Sequence, residues 1–348
     1  MSTVRGAPPL LRVGNAVALP LHPRSLLWTL VLLAALLAAA AATLSLGRLG
    51  IPATELVDAL TGDTTPAQEF VLRRLRGPRL VVALGTGAAL GLAGALFQSV
   101  TRNPLGSPDV IGLNAGAGAG AALVALALPG VVPVPLGALL GAVLAVVVVA
   151  TVTGTGLRHP GRLIVAGIGV AAMASALTHF VVAALARDQA SVLYAYVNGS
   201  LSARSWEHAL TIWLTLALAA PPLAALARPV ALNEMGDELA DSLGARAAAT
   251  RAAAITLSVV LSAAAVGVAG PIAFVSLTAP QIARRLTRAA GPNLVVSALV
   301  GALILALADL AVQQVPLGEG LPVGIVTLAV GGVYLGFLLV REWRRGVL

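Results

Sequence analysis

Four arginines fall within seven positions, Arg73, Arg74, Arg76 and Arg79, set against the start of a long apolar run, "RLVVALGTGAALGLAGALF". A guanidinium keeps its charge and offers a planar fork to carboxylates and phosphates. The cluster therefore suits an acidic macromolecular partner; the competing use is snorkelling to lipid phosphates. A second cluster has the opposite sign. In "LNEMGDELADSLGAR", residues 232–246, Glu234, Asp237, Glu238 and Asp241 alternate with apolar residues. Leu239 and Leu243 stand four apart, on one face of a helix, and Gly236, Ala240 and Gly244 permit close approach. Such a segment fits a helix inserted into a partner's groove; the plainer reading is a solvated amphipathic loop. A third polar patch, Ser175, Thr178 and His179, lies in mid-segment of an apolar stretch.

Other chemistries lack their residues. All 22 basic residues are arginine, so the lysine that a P-loop needs is missing and ATP hydrolysis through that motif is excluded. There is no cysteine, and the four histidines, His22, His159, His179 and His208, are scattered without ligand spacing. We expect no catalytic residue, no metal centre and no cofactor.

The elements that must position these clusters are set by hydrophobicity. Of 348 residues, 58% are hydrophobic and 10% charged, and mean hydropathy is +0.95. A hydrocarbon core of about 30 Å needs roughly 20 apolar residues per helix, and unbroken runs rather than alternation argue against a barrel. The expected fold class is an all-α integral membrane protein, a single transmembrane domain over residues 1–348. Ten segments qualify, at about 25–46, 80–100, 110–128, 132–153, 163–186, 208–227, 252–269, 271–286, 293–312 and 322–340. The first is too long for a typical signal-peptide core and is expected to be retained.

An even number of crossings puts both termini on one side, and arginine distribution makes that side the cytoplasm. On this topology the inside segments carry 15 arginines and the outside segments seven. Residues 1–24 form a cytoplasmic tail, 47–79 an extracytoplasmic segment with a short surface helix, and 228–251 a cytoplasmic coupling loop. The four clustered arginines then lie on the side that topology does not favour, which calls for another role. Net charge of +8 reflects loop arginines rather than nucleic-acid binding. Residues 79–115 and 251–286 each run as an apolar helix, a Pro-containing break and a short helix, in opposite senses. Inverted repeats with interrupted helices characterise alternating-access transporters.

At this point the chain closely resembles a known family. "GPRLVVALGTGAALGLAGALFQSVTRNPLGSPDVIGLNAGAGAGA", "NGSLSARSW", "LNEMGDELADSLG", "VAGPIAFVSLTAPQIARRL" and "LPVGIVT" follow, in order over about residues 70 to 342, the signatures of the FecCD family. These are permeases of type II ABC importers for ferric siderophores, heme and cobalamin. The resemblance implies a ten-helix bacterial inner-membrane subunit, not itself an enzyme. It would pair with a second permease, identical or not, two separate ATPase subunits and an extracytoplasmic binding protein.

It also implies site roles. Arg76-Gly77-Pro78-Arg79 matches the family's outer Arg-x-Pro-Arg turn that meets acidic residues of the binding protein, with Arg73 and Arg74 as flanking candidates. Many relatives carry another outer arginine where this chain has Gln313 and Gln314. Leu232, Gly236, Asp237, Glu238, Ala240, Leu243 and Gly244 resemble the coupling helix that enters the ATPase. For the pathway and its gate the resemblance points to Asn103, Pro104 and Asn114, to Thr153 and Thr155, to Ser175, Thr178 and His179, and to Pro280 and Gln281. Gln281 stands where many members have histidine, which leans towards a ferric siderophore, carried inside its chelator; heme and cobalamin stay open. An ion-coupled secondary transporter is the alternative of a different class. It would need intramembrane acids, and only Asp309 lies within an expected segment, near its outer end, as a structural or capping residue.

Overall fold

In hydrocarbon every backbone polar group must find an internal partner, so long apolar stretches become helices. The computed structural model describes residues 10–13, 17–20, 23–47, 49–62, 64–154, 160–184, 193, 197–314 and 321–343. The described part of the tail holds two short strands, β1 (Leu10–Val13) and β2 (Val17–Pro20), paired antiparallel. The sequence reading gave this tail no structure. The helices are α1 (Pro23–Ser45), α2 (Leu56–Thr61), α3 (Pro66–Phe70), α4 (Arg76–Thr101), α5 (Leu113–Ala127), α6 (Val134–Val152) and α7 (Pro160–Ala184), then α8 (Trp206–Asn233), α9 (Asp237–Ser242), α10 (Ala247–Ala269), α11 (Val275–Thr287), α12 (Leu294–Gln314) and α13 (Val323–Trp343). A π-helical turn, Val71–Leu75, joins α3 to α4.

Each of the ten expected segments coincides with one of the long helices, α1, α4 to α8 and α10 to α13. Among the described residues, seven stretches are long and apolar enough to cross a membrane alone, while α5 and the apolar part of α13, Val323–Phe337, are shorter. Helix α11 has 13 residues and rises only about 20 Å. The expected coupling loop of 228–251 is narrower than composition implied. Helix α8 continues through Pro221, Pro222 and Pro229 to Asn233, and α10 begins at Ala247. Neighbouring helices tolerate such prolines by satisfying the freed carbonyls.

Helix α4 is the hub: 83% of its apolar stretch is buried, against 17% for α1. Its small residues allow backbone contact with α12. A Cβ at Gly87 would stand 2.4 Å from the Gly301 carbonyl oxygen, and one at Gly91 would stand 2.2 Å from that of Ser297. Rising numbers on α4 meet falling numbers on α12, so the two helices are antiparallel. Glycine at such crossings lets helices pack by dispersion in lipid, where hydrophobicity provides no drive. The Ser258 hydroxyl of α10 donates to the Ala93 carbonyl at 2.8 Å.

Both segments expected to be interrupted are interrupted. Helix α4 breaks after Thr101 and resumes as α5; α10 breaks at Gly270 and resumes as α11, with Gly270 and Phe274 at positive φ. At the break the Ala269 carbonyl is satisfied by Ser200 N at 2.8 Å, and the neighbouring Gly199 carbonyl accepts from Gly324 N of α13 at 3.0 Å. Non-helical backbone at this depth is sustained only where protein covers it.

Candidate functional site

The clustered arginines divide into two pairs. Arg76 is buried, and its Nη1 donates to the carbonyls of Thr43 at 2.8 Å, Leu44 at 3.4 Å and Leu46. These carbonyls lie around the C-terminal end of α1, where a cation is favoured. Arg79 forms a forked pair with Asp309 of α12: Nε lies 2.9 and 3.0 Å from the two carboxylate oxygens, and Nη2 lies 2.7 Å from Oδ1. Gln313 completes the site, its Nε2 donating to Asp309 Oδ2 at 2.7 Å. Both first-choice docking residues are thus engaged within the chain, one tying α1 to α4 and the other α12 to α4.

Arg73 and Arg74 are the exposed pair. Arg73 makes an i,i+4 contact of 3.2 Å with Glu69, with three-quarters of its side chain exposed, and Arg74 is exposed. In a regular α-helix, positions 73 and 76 would share a face. The π-helical turn inserts i→i+5 geometry between them and rotates the first pair away from the second. The indole of Trp206 holds this turn, donating to the Arg73 carbonyl at 2.8 Å.

The acidic segment lies at the other end of α4. Arg102, the residue after that helix, donates from Nε to the Asn233 carbonyl at 2.9 Å and pairs with Asp237. Asp237 also accepts from Arg251 Nη2 at 2.6 and 2.7 Å. Hydrogen bonding from Arg251 above all, then from Arg102, holds the Asp237 carboxyl below its ordinary pKa. Glu234 pairs with Arg284 at 2.8 Å, and Asp241 Oδ1 accepts from Ala247 N at 2.6 Å. Three of the four acids therefore brace the loop. Ala240 is fully buried and packs with Ala245, Ala247 and the partly buried Leu232 beneath α9. Met235, Glu238, Leu239 and Leu243 are exposed, forming an apolar ridge beside one free carboxylate. Gly236 at φ 115° and Gly244 at φ 80° make the turns at either end of α9; these are conformations that side chains resist.

Next to the acidic segment, at the break after α4, lies a polar knot. Gln281 Nε2 donates to Gln98 Oε1 at 2.8 Å and to the Pro104 carbonyl at 2.9 Å, and Gln98 Nε2 donates to the Leu277 carbonyl at 2.9 Å. Asn103 Oδ1 accepts from Leu105 N at 2.9 Å. The buried Oδ1 of Asn114 has no hydrogen-bond partner among the described residues. Pro280 is buried inside α11. Thr153 closes α6, donating to Ala150 O at 3.0 Å; Thr155 lies outside the described residues. On α7, Thr178 is buried and bonded to Ala174 O, Ser175 is half-buried and His179 is exposed. The expected pathway residues thus form separate groups: Asn103, Pro104, Pro280 and Gln281 meet at the break, while those of α7 face elsewhere. Gln98, Arg102, Arg251 and Arg284 were not singled out from sequence, since a lone arginine in a loop signals only topology. Asp109 was also missed; it accepts from Ser276 Oγ at 3.0 Å and links the two broken halves.

Comparison with known proteins bears on this arrangement. The FecCD transport family matches residues 24–341. The ferric enterobactin transport system permease protein FepG of Escherichia coli (strain K12) is 38% identical over 324 residues, 92% of this chain and 98% of that protein. The Fe(3+)-citrate import system permease protein YfmE of Bacillus subtilis (strain 168) is 34% identical over 325 residues, 92% and 97% of the respective chains. Among solved structures, a metal-chelate type ABC transporter in an inward-facing conformation superposes with a TM-score of 0.79 at 25% identity, covering 90% of this chain and 98% of that one.

Proposed function

The chain belongs to the FecCD transport family, and from that premise we propose that it is one half of the membrane channel of an ATP-driven importer for a ferric siderophore. It is a multi-pass membrane permease whose relatives are named for ferric enterobactin and ferric citrate. The chelated ferric ion would be cargo, taken from an extracytoplasmic binding protein and passed between this chain and a second permease in a bacterial inner membrane. Ten crossings with both termini cytoplasmic fit this role.

One observation carries the reading. The exposed arginines and the acidic, apolar-ridged helix sit at opposite ends of α4, whose 26 residues span about 39 Å, more than the hydrocarbon core. A cationic platform on one face would meet the acidic binding protein, with Arg73 and Arg74 making contact and Arg76 and Arg79 holding the platform rigid. On the other face α9 would offer Leu239, Leu243 and Glu238 to the ATPase groove. Helix α4, packed against most of its neighbours, would carry movement between them.

The test is a complex reconstituted with its ATPase and binding protein. Arg73→Glu with Arg74→Glu is expected to abolish stimulation of ATP turnover by the binding protein at low salt, the difference from wild type shrinking as added salt screens the charges, while basal turnover and assembly stay intact. Leu239→Arg is expected to release the ATPase. Unchanged stimulation in the first variant would return these arginines to lipid anchoring; full transport in the second would refute the coupling role.

A further inference from the structure

A cavity of about 820 Å³ lies between α6, α8 and α10, apart from both surfaces described above. We propose that it holds one acyl chain of a phospholipid with an ammonium headgroup, phosphatidylethanolamine, in the leaflet at the arginine end of the molecule.

Direction and length come first. The lining runs along α6 from Pro135 to Val147 and along α10 from Thr256 to Val268, about 18 Å in each case. A single leaflet occupies half of a core of about 30 Å. The groove is therefore one leaflet deep, whereas a transmembrane helix from another subunit would lie along the full crossing. Leu136, Val143, Val147 and Val260 border it and are exposed, so it opens sideways towards hydrocarbon rather than along the transport axis.

The chemistry of the wall excludes a polar occupant. Three threonines line it, and each hydroxyl is already committed to its own helix: Thr211 to Glu207 O at 2.8 Å, Thr215 to Thr211 O at 2.8 Å and Thr256 to Ala252 O at 2.9 Å. A ferric chelate would find no donor there, while methylene groups lose nothing. Only the outer end is polar. His208 has its Nδ1 engaged by Ser205 Oγ at 2.8 Å; the charges of Arg204 and Glu207 both bear on its ring, and the exposed Glu207 carboxylate makes no hydrogen bond or ion pair among the described residues. An unpaired acid at headgroup level, above a dry groove, selects an ammonium over an anionic headgroup.

The experiment uses the assembled complex, released from membranes containing phosphatidylethanolamine and phosphatidylglycerol and read by native mass spectrometry. Wild type is expected to retain phosphatidylethanolamine. Ala264→Phe and Gly267→Phe fill the groove and should lose it. Gly267→Ala should keep it, because its new methyl would stand 3.8 Å from Leu139 Cβ, an ordinary contact. Glu207→Gln should keep an acyl chain but lower the preference for phosphatidylethanolamine over phosphatidylglycerol by about fivefold. Should a filled variant fail to fold, a diazirine-bearing phosphatidylethanolamine on the wild type decides, with label expected within 135–147 and 256–268. Unchanged retention in the filled variants, label confined to other segments, or a second protein chain cross-linked through position 143 would each overturn the proposal.

Discussion

The ion pair between Arg79 and Asp309 separates a structural arginine from a docking one. Asp309 has 2% of its side chain exposed and Arg79 19%, so neither is solvated as a surface pair would be. Replacing Arg79 with Met leaves the carboxylate with Gln313 as its remaining donor, and stranding a buried charge costs about 3–5 kcal/mol. Asp309→Leu strands the arginine, whose position nearer the surface lets water reach it; about 1–3 kcal/mol is expected. The double variant removes both charges and should return to within about 1 kcal/mol of wild type. The cycle therefore predicts strong favourable coupling between the two sites. Unfolding followed by tryptophan fluorescence in a denaturing-detergent titration measures it, with inactivation half-lives as the readout where unfolding is irreversible. Single variants within about 0.5 kcal/mol of wild type and an additive double would refute the reasoning. Arg79 would then be solvated and free to meet a partner.

Asp237 predicts a pH dependence for the loop around α9. Its native pKa is depressed by Arg251 and Arg102, so the unfolded state binds more protons and the contribution is complete above the ordinary value of about 3.9. It is lost as pH falls through the lower native value. Hydrogen-exchange protection over residues 233–247, taken relative to the intrinsic amide rate at each pH, should stay flat from pH 7 to about pH 4 and fall below, while Asp237→Asn should lower it already at pH 7; loss of protection in the wild type between pH 7 and 5 would contradict the assignment. Gly87→Leu should prevent accumulation of folded protein, because even its Cβ would meet the Gly301 carbonyl at 2.4 Å. Gly161→Leu, at a position with open space around it, should accumulate normally.

The membrane class, the order of helices and the two charged clusters were legible because they rest on local quantities. Length of apolar run, residue type and spacing decide whether a segment enters hydrocarbon and what sign of partner it suits. The break after α4 was legible from Pro104 and Pro108, and the stop after α2 from Gly62, which closes that helix at φ 119°. The partition of function within each cluster was not legible. Arg73 and Arg76 have the same chemistry and stand three residues apart, yet one is exposed and the other buried. Likewise, Asp237 and Glu238 are adjacent acids, but only the first meets Arg251, 14 residues on, and Arg102, 135 residues back.

The sequence by itself determined that this is a helical membrane protein with a cationic cluster and an acidic one, because desolvation of apolar runs and the sign of charge need no partner to be evaluated. Only the tertiary structure decided which charges serve the fold and which stay available. That depends on contacts between residues as far apart as 79 and 309, and on a π-helical turn that rotates one pair of arginines out of the interior.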